Sequence, residues 1–214
     1  MGALSMALSE AISPLLDYAV ATRAMGGAEE SGDLFAVRPY RNGLLVAVTD
    51  GLGHGPAAAT AARIAVNAVA EAQEESLTHI LDNCHLALKG TRGAVMSLAT
   101  LDAALASLTW AGIGNVDAML IRMGADGVLG REAILTYGGI LGHRYPGVRE
   151  ATLPIHRGDM LAFATDGILP GFDREILPGK SPQQIAERIL ARYGTPQDDA
   201  LVLIGRWNGA EPGP

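Results

Sequence analysis

The chain has 214 residues, 49% of them hydrophobic and 18% charged, which is enough apolar content for one packed domain and too little charge for a disordered chain. A net charge of -7 makes a phosphate backbone an unfavourable partner, and 5% aromatics with 27 glycines speak against the base-stacking platforms of single-strand nucleic-acid binders. The lone Cys84 excludes an internal disulfide and any multi-cysteine zinc site, and it suits a reducing cytosol.

Residues 1–16 lack the basic flank and small-residue cleavage site of a signal peptide, and Met6 stands where a myristoylation motif needs Ser or Thr. An element around 13–22 reads equally as helix or strand, and the Gly-Gly and Glu-Glu pairs at 26–30 form a loop. Leu34–Arg38 and Gly43–Thr49 read as strands joined by a turn at 40–43. Pro56 suits a first helical position, and Ile64, Ala65, Ala68, Val69 and Ala72 recur at helical spacing, so a helix is expected from Pro56 to about Glu75. A second helix is expected over Leu77–Leu88. Strands follow at 94–100, 104–111, 116–123, 133–137, 149–153 and 159–165, with GADG at 124–127 as a hairpin tip. The apolar stretch 93–116 is long enough to span a bilayer, but Asp102 near its middle and its glycines make a buried hairpin the better reading, and no membrane association is expected. Ser181-Pro182 opens a helix to about Arg192, Leu201–Trp207 is a closing strand, and 208–214 is a frayed tail. Strands and helices are segregated, which predicts one α+β domain over 1–214, a sheet or sandwich covered by helices, and not a repeating βαβ sheet.

Asp-Gly occurs at 50–51, 126–127 and 166–167. Asp126-Gly127 fits an ordinary hairpin turn. The other two close the apolar runs LLVAVT and MLAFAT, and each places a carboxylate at the exit of a buried strand. Asp33, just before a strand, and Asp198-Asp199, just before the last one, add two more acidic points. Acids at four strand ends, with no Cys or His cluster, describe either an oxygen-ligand site for Mg²⁺ or Mn²⁺ or a set of solvated turn acids, and spacing alone leaves both open. GLGHGPAA at 51–58 follows a strand and opens a helix as phosphate loops do, but it lacks the Lys-Ser/Thr of a Walker loop. Arg92 reads as a phosphate contact or a solvated turn residue, Asn115 as a support for the acids or a simple turn, and Cys84 as packing.

SGDLF at 31–35, VTDGLGHG at 48–55, RGA at 92–94, GIGNV at 112–116, ATDGI at 164–168 and DDALVLI at 198–204 stand in the order found in metal-dependent protein phosphatases of the 2C type. The chain resembles their bacterial SpoIIE-like branch, and within it the short stressosome phosphatases. The resemblance implies a central β-sandwich flanked by helices with two Mn²⁺ or Mg²⁺ ions at one end. It further implies that Asp50 bridges both ions, that the Gly51 carbonyl and Asp33 serve one of them, and that Asp166 and Asp198 complete the second, with Asp199 behind them or turned away. It implies hydrolysis of phosphoserine or phosphothreonine on stressosome proteins with STAS domains. His54 is a candidate general acid or an exposed loop residue. The pattern departs from the family at Arg23, too distant from Asp33 to grip phosphate, and at Leu201, where a Thr is common. A catalytically silent fold used for binding, or a small-molecule phosphatase, would be the alternatives.

Overall fold

A computed structural model describes residues 14–73, 76–124 and 127–209. Among the described residues, ten strands form two antiparallel five-stranded sheets. The first sheet has the order β1 (Leu16–Arg23), β10 (Ala200–Trp207), β9 (Met160–Ala164), β6 (Asp117–Gly124), β7 (Gly127–Ala133). The second has the order β2 (Asp33–Tyr40), β3 (Gly43–Gly51), β4 (Ala94–Asp102), β5 (Ser107–Ile113), β8 (Ala151–Pro154). Alternating side chains of both sheets meet in one apolar layer, in which Val46, Val48 and Trp110 of the second face Leu161, Phe163 and Leu203 of the first. The α+β sandwich expectation holds.

Helices cover both outer faces. On the second sheet lie α1 (Pro56–Glu71) and α2 (Leu77–Ala87), with Ala61, Ala65 and Val69 against Leu45, Ala47 and Met96. Alanine along this face lets α1 approach the strands closely. On the first sheet lies α3 (Pro182–Tyr193), through Ile185, Ala186 and Ile189. Ser181 opens it with a capping box, its Oγ accepting from the Gln184 amide at 3.2 Å while Gln184 reaches back to the Ser181 amide. Cys84 is buried under α1, and burial pushes its thiol up to about 12, so it packs and does not react.

Several boundaries differ from expectation. The undecided first element is a strand because β10 pairs with all of it, from Leu16↔Trp207 to Arg23↔Ala200. Helix α1 ends at Glu71, four residues short of Glu75, where the Arg38 guanidinium from β2 takes the Val69 carbonyl at 3.1 Å and the Ala72 carbonyl. The strand expected at 104–111 starts at Ser107, because Asp102 Oδ1 accepts from the Ala104 and Leu105 amides and turns the chain first. The strand expected at 133–137 lies at Gly127–Ala133, as a half-exposed edge whose Gly130 hides its strand character. The 93–116 stretch is the β4–β5 hairpin, with Met96 opposite Ile113. Among the described residues no helix is long and apolar enough to cross a membrane. Asp126, residues 1–13 and 210–214 lie outside the described residues, and with them most of the tail expectation.

Candidate metal centre

The register of β2 against β3 sets Asp33 directly opposite Asp50. Opposed residues on antiparallel strands share a face with Cβ atoms about 4.5–5.5 Å apart, and like charges placed so repel. The other sheet brings its acids to the same end. Asp166 leaves β9 one residue past Thr165, and Asp198-Asp199 leads into β10, the antiparallel neighbour of β9. Thr165 joins the two sheets there: its Oγ donates to Asp33 Oδ2 at 2.6 Å and accepts from the Leu201 amide at 2.9 Å. The four acidic points singled out in the sequence are thus brought together.

Electrostatics registers their proximity. Burial, reinforced by the charges of Asp199, Asp166 and Asp198, raises the Asp33 carboxyl to about 7 against the opposing bond from Thr165. Burial and then Asp33, Asp166, Asp198 and Asp199 raise Asp50 to about 8. Asp166 is raised by burial and by Asp198, and the Asn115 side chain, donating to its Oδ2 at 2.8 Å, counters part of that rise. Among the described residues no three His, Cys, Asp or Glu side chains close into a ligand cage. Coulomb coupling reaches further than ligation, so the shared shifts mark acids that lie near one another and not a closed set of ligands. Carboxylate and carbonyl oxygens with no sulfur or imidazole are a donor set for a hard divalent cation.

The glycines of the two Asp-Gly pairs are required by contact. A Cβ on Gly51 would stand 2.2 Å from the Ala58 carbonyl oxygen, and one on Gly167 would stand 1.9 Å from that of Asp199. Gly51 ends β3, and its amide donates to the Gly32 carbonyl at 2.9 Å.

The remaining candidates fall at the margin. His54 is exposed in the loop between β3 and α1, flanked by Gly53 and Gly55 at φ 80° and 76°. Arg92 is exposed but leans on that loop, since a Cβ on Gly53 would lie 2.9 Å from its guanidinium. The Arg92 backbone is held by His143, whose Nε2 lies 3.1 and 3.0 Å from the Thr91 and Arg92 carbonyls; two acceptors make that nitrogen the protonated one. Arg23 donates to the Thr195 carbonyl at 2.8 Å. Two open grooves of about 470 and 490 Å³, lined by Arg38–Arg41 with 70–73 and by Met123, 178–181, Gln184 and Arg206, lie away from the acids. Sequence reasoning missed Thr165; its signal was the Thr that precedes Asp in both buried strands.

Comparison with known proteins agrees with this architecture. The family model for Stage II sporulation protein E (SpoIIE) matches residues 41–208. The phosphoserine phosphatase RsbX of Bacillus subtilis (strain 168) is 24% identical over 181 residues, 84% of this chain and 89% of the relative. A protein solved in work on the bacterial stressosome, as a modular system adapted to control secondary messenger signalling, superposes with a TM-score of 0.81 at 31% identity, over 89% of this chain and 99% of its own. The crystal structure of RsbX in complex with magnesium superposes with a TM-score of 0.80 at 23% identity, over 91% of this chain and 96% of its own. With a family match across most of its length, the chain belongs to the SpoIIE family and is a phosphatase domain of the 2C type.

Proposed function

We propose that this protein is a divalent-metal-dependent protein phosphatase that hydrolyses phosphoserine or phosphothreonine in the cytoplasm. The carrying observation is the facing pair Asp33 and Asp50, raised to about 7 and 8 and met by Asp166 and Asp198 from the other sheet. Held this close, these carboxylates ionise together readily only beside a cation. Asp50, Asp33, the Gly51 carbonyl, Asp166 and Asp198 would hold the divalent ions, two Mn²⁺ or Mg²⁺. Bound there, such ions acidify a water molecule and neutralise phosphoryl oxygens. The chain's own groups do the rest. Thr165 orients Asp33, and Asn115 orients Asp166. Arg92, beside the Gly53 backbone, would meet the phosphate, and the exposed His54 is the side chain of this loop able to give a proton to the leaving oxygen.

The substrates we infer are phosphorylated STAS-domain proteins of a stressosome, whose dephosphorylation would reset signalling after stress. Support comes from the similarity to RsbX and to the protein solved in stressosome work. The test of the general reaction is phosphate release from an aryl phosphate with and without Mn²⁺, followed by chelator. Release should require the ion and stop on chelation; release that persists in chelator overturns the metal-dependent reading.

A further inference from the structure

Asp199 lies inside the acid cluster, yet both of its carboxylate oxygens are taken by backbone. Oδ1 accepts from the Met25 amide and Oδ2 from the Gly32 amide, each at 2.7 Å, and the residue is 3% exposed. Those amides stand at the two ends of the loop by which the chain crosses from β1 in the first sheet to β2 in the second. One side chain at the head of β10 therefore closes that crossing. The connection continues inward: the Gly32 carbonyl accepts from the Gly51 amide at 2.9 Å, and Gly32 and Gly51 adjoin Asp33 and Asp50 in the chain. There is no slack around Gly32, where a Cβ would come within 3.0 Å of the Ala58 Cβ and 3.1 Å of Asp199 Oδ2.

We propose that Asp199 is a positioning residue, which fixes the distance between the Asp33–Asp50 pair of one sheet and the Asp166–Asp198 pair of the other by holding the Met25 and Gly32 amides. This rests on the cation-site reading above. Short charge-assisted bonds from two backbone amides, one on each oxygen, hold that carboxylate turned toward the crossing. Asp198 differs, since among the described residues its Oδ1 accepts from the Asp199 amide at 2.9 Å and its Oδ2 has no hydrogen-bond donor.

The experiment compares Asp199→Asn with Asp198→Asn by amide hydrogen exchange in chelator and by calorimetric titration with Mn²⁺. In Asp199→Asn the side chain can accept from one amide only and turns an NH₂ toward the other. Exchange at Met25, Gly32 and Gly51 should quicken, and the Mn²⁺ dissociation constant should rise about tenfold, within the range for residues that support a ligand. The number of ions bound should not change, and kcat should recover at saturating Mn²⁺. Asp198→Asn should lower the number bound or lose activity that excess Mn²⁺ does not restore. Met25→Pro is the second variant. It deletes one donor at the start of a 3-10 turn, after Ala24 at φ -75° and ψ 142°, a conformation that accepts a following proline. It should raise the dissociation constant in the same direction by less. Loss of a bound ion in Asp199→Asn, or unchanged Mn²⁺ affinity in both Asp199→Asn and Met25→Pro, overturns the proposal. A wild-type protein that binds Mn²⁺ but removes phosphate from no phosphorylated protein would refute the substrate reading and leave this test intact.

Discussion

Asp33 and Asp50 keep their protons up to about pH 7 and 8, whereas in the unfolded chain both carboxyls titrate near 3.8. Between those values the folded state binds more protons than the unfolded one. The stability they contribute is therefore full at low pH, falls as pH rises through that window, and levels off above the folded values. The metal-free protein should thus melt at a lower temperature at about pH 8.5 than at about pH 6, and Asp50→Asn should shrink that difference. Thermal scans in chelator check it, and equal shifts in both proteins would place the cause elsewhere. With Mn²⁺ present the sign reverses. Asp50→Asn should gain nothing in Tm from the ion and lose more than about 100-fold in kcat/KM, beyond what residues supporting a ligand typically cost. Asp166→Asn should be comparably severe, whereas Asp126→Asn should be silent, because Asn-Gly serves a hairpin turn as well as Asp-Gly does. Kinetics on the two variants side by side decide between those readings of Asp-Gly.

At the scale of elements, the close seating of α1 on β3 sets the approach to the site. Gly51→Ala would drive a Cβ to 2.2 Å from the Ala58 carbonyl, and neither backbone can yield without moving the other. A loss of about 1–3 kcal/mol in unfolding free energy is expected, as for other overpacked positions, together with loss of activity. Arg38→Met should separate the two: releasing the Val69 and Ala72 carbonyls at the end of α1 should cost about 1 kcal/mol while leaving turnover intact below the melting range. Denaturant titrations with parallel assays read both. What was legible in the sequence follows the same divide. Elements with strong period or caps, such as α1 from Pro56, α3 from Ser181 and β3, were readable, and so were the acids at strand ends, because Thr-Asp-Gly after an apolar run is a local pattern. β7 was not, because its half-exposed residues alternate weakly and its pairing with β6 carries it. β1 was undecided because β10, almost the whole chain away, determines its state. The bonds from Asp199 to the Met25 and Gly32 amides were beyond local reading, since they are set by a crossing between sheets, although the resemblance already put Asp199 behind the ligands or turned away.

The whole molecule presents its acids at one end of a sandwich, on exposed or half-buried strand exits such as Asp166 and Asp198, with the two large grooves elsewhere. A site of this kind encloses little of a small substrate, so most binding energy has to come from the surface around a phosphorylated side chain. The stressosome proposal then has a quantitative consequence. Binding energy from remote parts of a protein substrate is available to the transition state, and free phosphoserine cannot supply it. For a kinase-phosphorylated STAS scaffold protein kcat/KM should exceed that for free phosphoserine by at least about 100-fold, equivalent to about 2.7 kcal/mol of remote contact. Mass spectrometry of the scaffold over time, with Mn²⁺ fixed at saturation, gives the one rate, and phosphate release gives the other. The net charge of -7 sharpens the expectation, because an acidic partner would be repelled at long range and its reaction should quicken as salt screens that repulsion. If the scaffold stays phosphorylated while unrelated phosphopeptides are cleaved readily, the partner is wrong and the phosphatase reading alone stands. If free phosphoserine is hydrolysed as well as the scaffold, docking contributes nothing and specificity has to reside in the residues that touch the phosphate.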